Sequence, residues 1–201
     1  MTRIAAFDLD GTLTTRDCVV PFLRQVAGTP RLVAGVAIHP VDVSRALVRR
    51  DRDAFKLLAS RAAFAGRPLD DLAPHAAEFA AMVHANWLRG DTLGTLQGHL
   101  EVGDTVVIVS ASYSLYVEPL AVLLGAHHAL ATRLAIGSDG RLTGELDGPN
   151  CRGPEKVRRL HDWLDTAYGG RAHVEVMAYG DSPGDRDLLA DADEPHWVPA
   201  R

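Results

Sequence analysis

Residues 5–14 read AAFDLDGTLT, a short apolar run that stops at two aspartates spaced two residues apart. Asp8 and Asp10 are followed by a glycine and by the hydroxyl side chains of Thr12 and Thr14. Carboxylates are costly in an apolar core unless they are paired or bind a cation. A buried strand that stops here therefore ends either in an ordinary polar turn or in a functional site.

Two more apolar segments end in polar residues, and they decide between these readings. Residues 105–109 (TVVIV) run into SAS at 110–112, and residues 174–179 (VEVMAY) run into GDS at 180–182. Continuous apolar strands that alternate with helical patterns predict an α/β fold with a parallel sheet, here a Rossmann-like three-layer core. Ligands of such sheets gather at the carboxyl ends of the strands, so we expect the polar segments to converge.

Helical patterns fill much of the remaining chain. Residues 115–124 and 157–164 each show one apolar helical face. Residues 129–136, the Gly-Ser-Asp-Gly that follows, and residues 141–143 predict a strand, a turn and a returning strand.

Residues 17–90 differ from the rest, because they show helical periodicity without strand signals. This segment follows the first polar loop directly, where an insertion would cover the site as a lid. We therefore predict a helical cap at residues 17–90, inserted after the first strand, and a catalytic core formed by residues 1–16 and 91–201.

Composition narrows the function classes. The chain has 201 residues and a net charge of -5 without a basic stripe, which argues against nucleic acid as a partner. Its longest apolar stretch, residues 32–43, is interrupted and shorter than the roughly 20 residues of a membrane span. Cys18 and Cys151 lack metal-type spacing and suggest a reducing compartment. We expect a cytoplasmic monomer or homodimer without stable membrane insertion.

The two aspartates of the first loop suit phosphoryl transfer. This reaction needs a nucleophile, a cation against the negative charge, donors for the phosphoryl oxygens and an acid for the leaving alkoxide. Asp8 is the candidate nucleophile, since a carboxylate can form an aspartyl-phosphate. Asp10 is the candidate acid and base. Mg²⁺ prefers oxygen ligands, and Asp8, the backbone carbonyl of Asp10, and Asp181 could provide them, with Thr12 in support.

Residues at the other strand ends supply the phosphate contacts. Ser110 and the amides after it, starting with Ala111, could donate to phosphoryl oxygens. Lys156 could add a positive charge, and Asp185 could orient that lysine or a metal-bound water. Each residue alone has an ordinary explanation as a cap, a turn residue or a solvated lysine. Their joint placement on successive strand ends favours a site.

Four motifs carry a family resemblance: DLDGTLT at 8–14, VSAS at 109–112, CRGPEK at 151–156 and GDSPGD at 180–185. Together with the helical insertion, they resemble the phosphoserine-phosphatase-like branch of the haloacid dehalogenase-like superfamily. The resemblance covers essentially the whole chain. It implies Mg²⁺-dependent hydrolysis of a small phosphorylated metabolite, with the residue roles given above.

Three positions bear on the substrate. Gly184 stands where phosphoserine phosphatases commonly carry asparagine, and Asp17 where their cap glutamate reads the amino acid. Arg61 is a possible match for the cap arginine that binds the substrate carboxylate. Phosphoserine therefore competes with histidinol phosphate and with a lysophospholipid head group. A phosphotransferase of the same superfamily and a non-catalytic phosphate-binding protein are the alternatives outside hydrolysis.

Overall fold

The computed structural model describes residues 1–49 and 51–199. Its strands are β1 (Thr2–Phe7), β2 (Thr105–Tyr113), β3 (His128–Thr132), β4 (Leu134–Ile136), β5 (Leu142–Leu146), β6 (Val174–Gly180) and β7 (Glu194–Trp197). Five of them form a sheet in the order β3-β2-β1-β6-β7, and each neighbouring pair is parallel. The predicted parallel α/β fold is confirmed.

The helices of the described residues occur mainly between the strands. They are α1 (Val19–Ala27), α2 (Thr29–Ala37), α3 (Pro40–Arg49), α4 (Arg52–Phe64), α5 (Leu69–Asn86), α6 (Gly90–Glu101), α7 (Ser114–Leu124), α8 (Pro154–Tyr168) and α9 (Arg186–Asp191). None of these helices has the length and apolar character that crossing a bilayer requires.

Side chains alternate between the two faces of β1 and enter two separate cores. Ala5 and Phe7 belong to the larger apolar cluster, while Ile4 and Ala6 belong to the smaller one. All four are fully buried, which explains why residues 4–7 form a continuous apolar run rather than an alternating one. Helix α8 covers the smaller cluster with residues such as Leu160. The sheet is thus covered on both faces, as the three-layer prediction required.

The segment 129–143 differs from its prediction. We expected residues 129–136 to form one strand, but the chain divides at Arg133 into β3 and β4. Strand β3 extends the main sheet beside β2, whereas β4 pairs with β5 in a separate antiparallel ribbon. Hydrogen bonds to β2 hold the first half of the segment in the sheet, and this long-range pairing has no local sequence signal. The predicted turn does lie between β4 and β5.

Helices α1 to α5 occupy the inserted segment. The chain enters and leaves it side by side, since Thr15 N donates to the Trp87 carbonyl at 2.8 Å and Arg89 N donates to the Leu13 carbonyl at 2.9 Å. The division into cap and core remains a prediction.

Aromatic packing joins the inserted helices to the sheet. The ring centroids of Phe22 and Tyr116 lie 4.6 Å apart, and those of Phe64 and Tyr113 lie 5.2 Å apart. These rings belong to one apolar cluster that reaches from α1 and α4 to the end of β2. The inserted helices and the sheet thus share a core rather than touching only through polar contacts.

Candidate active site

The ends of three neighbouring strands place the polar loops side by side. Phe7 is paired with Ile108 on one side and with Tyr179 on the other. The next residue, Asp8, donates its N–H to the Tyr179 carbonyl at 2.9 Å. This register sets the loops after β1 and β6 and the carboxyl end of β2 along one edge of the sheet, so the expected convergence occurs.

Lys156 links the first and last loops. Its Nζ lies 2.5 Å from Asp8 Oδ1 and 2.6 Å from Asp185 Oδ1, and all three side chains are buried. Burial alone would lower the pKa of Lys156, but the two carboxylates raise it, so the lysine stays protonated. Burial raises the pKa of Asp8 against the opposing ammonium. Burial also works against ionisation of Asp185, yet Lys156 and Ser182 lower its pKa.

Three carboxylates converge beside this lysine. One oxygen each from Asp8, Asp181 and Asp185 lies within 4.8 Å of the others. Thr12 Oγ1 donates to Asp181 Oδ1 at 3.1 Å, and burial raises the pKa of Asp181. Crowded carboxylates of this kind fit a hard divalent cation such as Mg²⁺, which prefers oxygen ligands and would offset their repulsion. Asp10 was predicted to bind Mg²⁺ through its backbone carbonyl. That oxygen is separate from the three side-chain carboxylates of this cluster.

Gly11 makes this close approach possible. Its φ is +88°, and a Cβ there would collide with the carboxylate of Asp181. Only glycine adopts this backbone without strain while leaving room for the acid.

Asp10 is held on both carboxylate oxygens. Its Oδ1 accepts from the backbone N–H of Cys18 at 2.7 Å, and its Oδ2 accepts from the Ser112 hydroxyl. Tyr116 in turn donates to Ser112 Oγ at 2.5 Å. Burial and the charge of Asp17 raise the pKa of Asp10 to about 6, near the range where a carboxyl group can give and take protons.

Sequence reasoning did not assign Ser112 or Tyr116 a part in the site. The available signal was spacing, because Ser112 lies two residues after Ser110. Alternate residues of a strand share a face. Nothing in the local sequence marks Tyr116, which reaches the site from α7.

The carboxyl end of β2 carries the predicted phosphate donors, because the strand continues to Tyr113 and includes Ser110 and Ala111 instead of ending before them. Ser110 is fully buried, and its Oγ accepts from Ser112 N at 3.0 Å. The Ala111 carbonyl accepts from Thr132 Oγ1 at 2.9 Å and from Lys56 Nζ. Ala111 itself lines the cleft described next.

A cleft of about 600 Å³ opens above these groups. Asp8, Asp10, Lys156, Asp181 and Asp185 line its floor, and residues of α1 and α4 form the opposite wall. The cleft-lining residues of that wall are Val19, Val20, Leu23, Arg52, Asp53, Phe55, Lys56 and Ala59.

The two cap residues predicted from the resemblance occupy different places. Asp17 lines the cleft, and its Oδ1 accepts the N–H of Val19 at 2.9 Å at the start of α1. Arg61 does not line it, because its guanidinium lies 2.6 Å from Glu145 on strand β5. Lys56, five residues earlier on α4, does line the cleft, as does Arg52 on the same helix, and both were missed from sequence. Because the match to the family arginine is loose, the sequence offered no basis for choosing between Arg61 and Lys56.

Gly184 leaves space that an arginine fills. A Cβ at Gly184 would lie 3.1 Å from Arg152 Nε, so Arg152 packs directly over this glycine. Both residues line the cleft, and Arg152 is half-buried. The arginine thus stands beside the position where the family commonly carries asparagine. The departure at Gly184 was visible in the sequence, but its spatial partner was not.

Fold and site together are those of a hydrolase. The sequence profile of the haloacid dehalogenase-like hydrolases matches residues 5–190, and the chain belongs to this family.

Two relatives match nearly all of the chain. Protein CicA of Caulobacter vibrioides is 38% identical over 191 residues, which cover 95% of this chain and 83% of CicA. A histidinol-phosphatase of Neisseria meningitidis serogroup C is 26% identical over 204 residues, which cover 97% of this chain and 89% of that protein.

Solved structures agree on the fold. A protein of unknown function from Bordetella pertussis superposes with a TM-score of 0.76 at 27% identity, covering 94% of this chain and 87% of that one. A probable phosphoserine phosphatase from Vibrio cholerae has a TM-score of 0.63 at 19% identity, covering 94% of this chain and 54% of that one. The predicted membership of the haloacid dehalogenase-like superfamily is confirmed, and so is phosphatase as the enzyme class. The likeness to phosphoserine phosphatases extends to the fold.

Proposed function

We propose that the chain is a Mg²⁺-dependent phosphomonoester hydrolase that acts on a small phosphorylated metabolite through an aspartyl-phosphate on Asp8. The observation that carries the proposal is the placement of Asp8 on the cleft floor. One of its oxygens contacts Lys156 at 2.5 Å, and Asp10 lines the same cleft. A nucleophile, a cationic group and an acid therefore face one cavity.

The reaction proceeds in two displacements. An oxygen of Asp8 forms a bond to phosphorus while the bond to the leaving oxygen breaks, and Asp10 gives its proton to that oxygen. Asp10 then takes a proton from water, whose oxygen attacks the same phosphorus and releases Asp8 with phosphate. A pKa of about 6 suits Asp10 for both transfers.

The chain's own groups supply the remaining needs. Asp8 and Asp181, with the backbone carbonyl of Asp10, would hold Mg²⁺, which when bound neutralises phosphoryl charge. Ser110 and the amide of Ala111 donate to phosphoryl oxygens. Asp185 keeps the ammonium of Lys156 in place through a 2.6 Å contact.

The leaving group is an alcohol that fits beneath α1 and α4. The cleft volume of about 600 Å³ suits a metabolite such as phosphoserine or histidinol phosphate. Asp17 faces this cleft and favours an amine-bearing substrate, since its charge could pair with an ammonium group. The Neisseria relative named histidinol-phosphatase supports the same choice. A lysophospholipid head group is the less suited alternative, because its acyl chain needs a longer apolar channel.

The first experiment measures phosphate release from a panel of phosphorylated metabolites, with Mg²⁺ and with EDTA. Metal-dependent release from one compound, lost in Asp8→Asn, would support the proposal. Added alcohols distinguish a phosphotransferase, because product would then partition from free phosphate to a new ester. Tight phosphate binding without release from any compound would instead indicate a binding protein.

Substrate choice has a separate test. Asp17→Ala should raise KM mainly for amine-bearing phosphates. An equal loss on amine-free phosphates would contradict the role of Asp17.

A further inference from the structure

A hydrogen-bonded cluster joins α4 to the core loops beside the cleft, and Asn150 lies at its centre. Its Oδ1 accepts from Lys56 Nζ at 2.7 Å and lies 2.7 Å from Thr132 Oγ1, whose single proton it shares with the Ala111 carbonyl. Its Nδ2 donates to Asp53 Oδ1 at 2.7 Å. These partners fix the orientation of the amide, because a flipped group would set its NH₂ against the Lys56 ammonium and its oxygen against Asp53.

The cluster connects two parts of the fold. Asp53 and Lys56 lie three residues apart on α4 and therefore share a face of that helix. Thr132 ends β3, and Asn150 precedes α8. A single asparagine side chain thus spans from the inserted helices to the edge of the sheet.

Lys56 extends the cluster to the carboxyl end of β2. Its ammonium donates to the Ala111 carbonyl and lies 4.6 Å from the centroid of the Tyr113 ring. With Asn150 Oδ1 as the third partner, the ammonium has an acceptor or an aromatic face for each of its protons. Its position is therefore set by contacts rather than left to solvent.

The Ala111 carbonyl belongs to the same peptide group as the N–H of Ser112. That N–H donates to Ser110 Oγ at 3.0 Å. Because a peptide group is planar, a contact that holds its carbonyl also aims its N–H. The Ser110 hydroxyl then accepts from the backbone and keeps its own proton for a phosphoryl oxygen.

We propose that Asn150 is a positioning residue for phosphate binding, which holds Lys56 on the Ala111 carbonyl and thereby sets the end of β2 that carries Ser110 when α4 lies over the core. The inference rests on the proposed function only in that the bound group is a phosphate. Asn150 and Lys56 both lie outside the four motifs that carry the family resemblance.

The test measures binding of inorganic phosphate in the presence of Mg²⁺ by calorimetry, so it does not depend on turnover. Asn150→Ala should bind phosphate about tenfold more weakly than the wild type. This factor corresponds to the loss of one to two hydrogen bonds to charged groups, here Lys56 and Asp53. Asn86→Ala is the matched control, because Asn86 is exposed and donates only to the Met82 carbonyl at 2.9 Å. It should bind as the wild type does.

A double-mutant cycle separates positioning from a general structural role. Asn150 acts through Lys56, so the double variant Asn150→Ala with Lys56→Met should lose no more phosphate affinity than Lys56→Met alone. Additive losses would overturn the proposal, as would an Asn150→Ala affinity equal to that of the control. Should Asn150→Ala fail to fold, Asn150→Leu fills nearly the same space without the hydrogen bonds and provides the same measurement.

Failure of the two proposals can be told apart. If phosphate binding depends on Asn150 but the wild type hydrolyses no ester, the phosphatase proposal fails and the positioning role stands. If the wild type hydrolyses esters while Asn150→Ala binds phosphate normally, the positioning role fails and the phosphatase proposal stands. A wild type that neither binds phosphate nor hydrolyses esters overturns both.

Discussion

The carboxylate of Asp8 and the ammonium of Lys156 lie 2.5 Å apart although 148 positions separate them in the chain. Both side chains are buried, and Asp185 contacts the same ammonium at 2.6 Å. One buried lysine thus pairs with two buried carboxylates. This arrangement makes the lysine a stability determinant as well as a functional group.

Lys156→Met should destabilise the fold by about 3–5 kcal/mol at pH 7, because it leaves buried carboxylates without their cation. The penalty should shrink as the pH falls, since protonation neutralises the same carboxylates. Denaturant unfolding at pH 7 and pH 5 measures both effects. Arg158→Met, at a largely exposed position, is the control and should change stability far less. A similar, pH-independent loss in both variants would contradict the ion-pair account.

Asp10→Asn should slow hydrolysis of alkyl phosphates by about 10²- to 10⁴-fold, because the alkoxide then leaves without a proton. The loss on p-nitrophenyl phosphate should be smaller, since nitrophenolate needs no acid to leave. Single-turnover formation of the aspartyl-phosphate isolates this step. Equal losses on the two kinds of ester would argue against Asp10 as the acid.

Activity should depend on the protonation of Lys56. Burial lowers the pKa of Lys56 to about 8, against the opposing charges of Asp10 and Asp53. The ammonium is therefore present below about pH 8 and lost above it, so kcat/KM should fall at alkaline pH. Lys56→Arg should remove this alkaline fall, because arginine stays charged. An unchanged alkaline limb in that variant would exclude Lys56 as its source.

Arg152→Met should raise KM while leaving kcat nearly unchanged, if the arginine over Gly184 binds the substrate equally in the ground and transition states. Arg152→Lys should restore part of the affinity through its charge. Steady-state kinetics on the identified substrate provide the measurement. A fall in kcat at constant KM would instead place Arg152 in the chemical step.

Gly144→Ala should destabilise the protein by about 1–3 kcal/mol through strain and overpacking. Gly144 has a φ of +85°, and a Cβ there would lie 2.8 Å from the Cα of Arg61 on α4. Gly98→Ala is the matched control, because it lies within α6 with nothing near its Cβ position. Alanine there should raise stability by about 0.5–1 kcal/mol. Thermal unfolding of both variants is the measurement. A Gly144→Ala variant as stable as the wild type would contradict the close contact between β5 and α4.

Most of the sheet was predictable because its signals are local. Apolar runs such as residues 4–7 and 105–109 are strands wherever a sheet can bury both faces, and each ends where polar residues begin. Residues 129–136 show the limit of this reasoning. Their division at Arg133 depends on pairing with β2, which is remote in sequence, and the local pattern does not encode it.

The sequence by itself determined the family, the fold class and the candidate groups on the cleft floor, from Asp8 to Asp185. These residues follow strands or lie in short motifs, so position along the chain indicates position in space. The substrate side of the cleft was decided only by tertiary structure. Lys56 rather than Arg61 faces the cleft, because Glu145 holds the arginine elsewhere. Asn150 gains its partners from α4 and β3, and contacts between such distant segments exist only after the chain has packed.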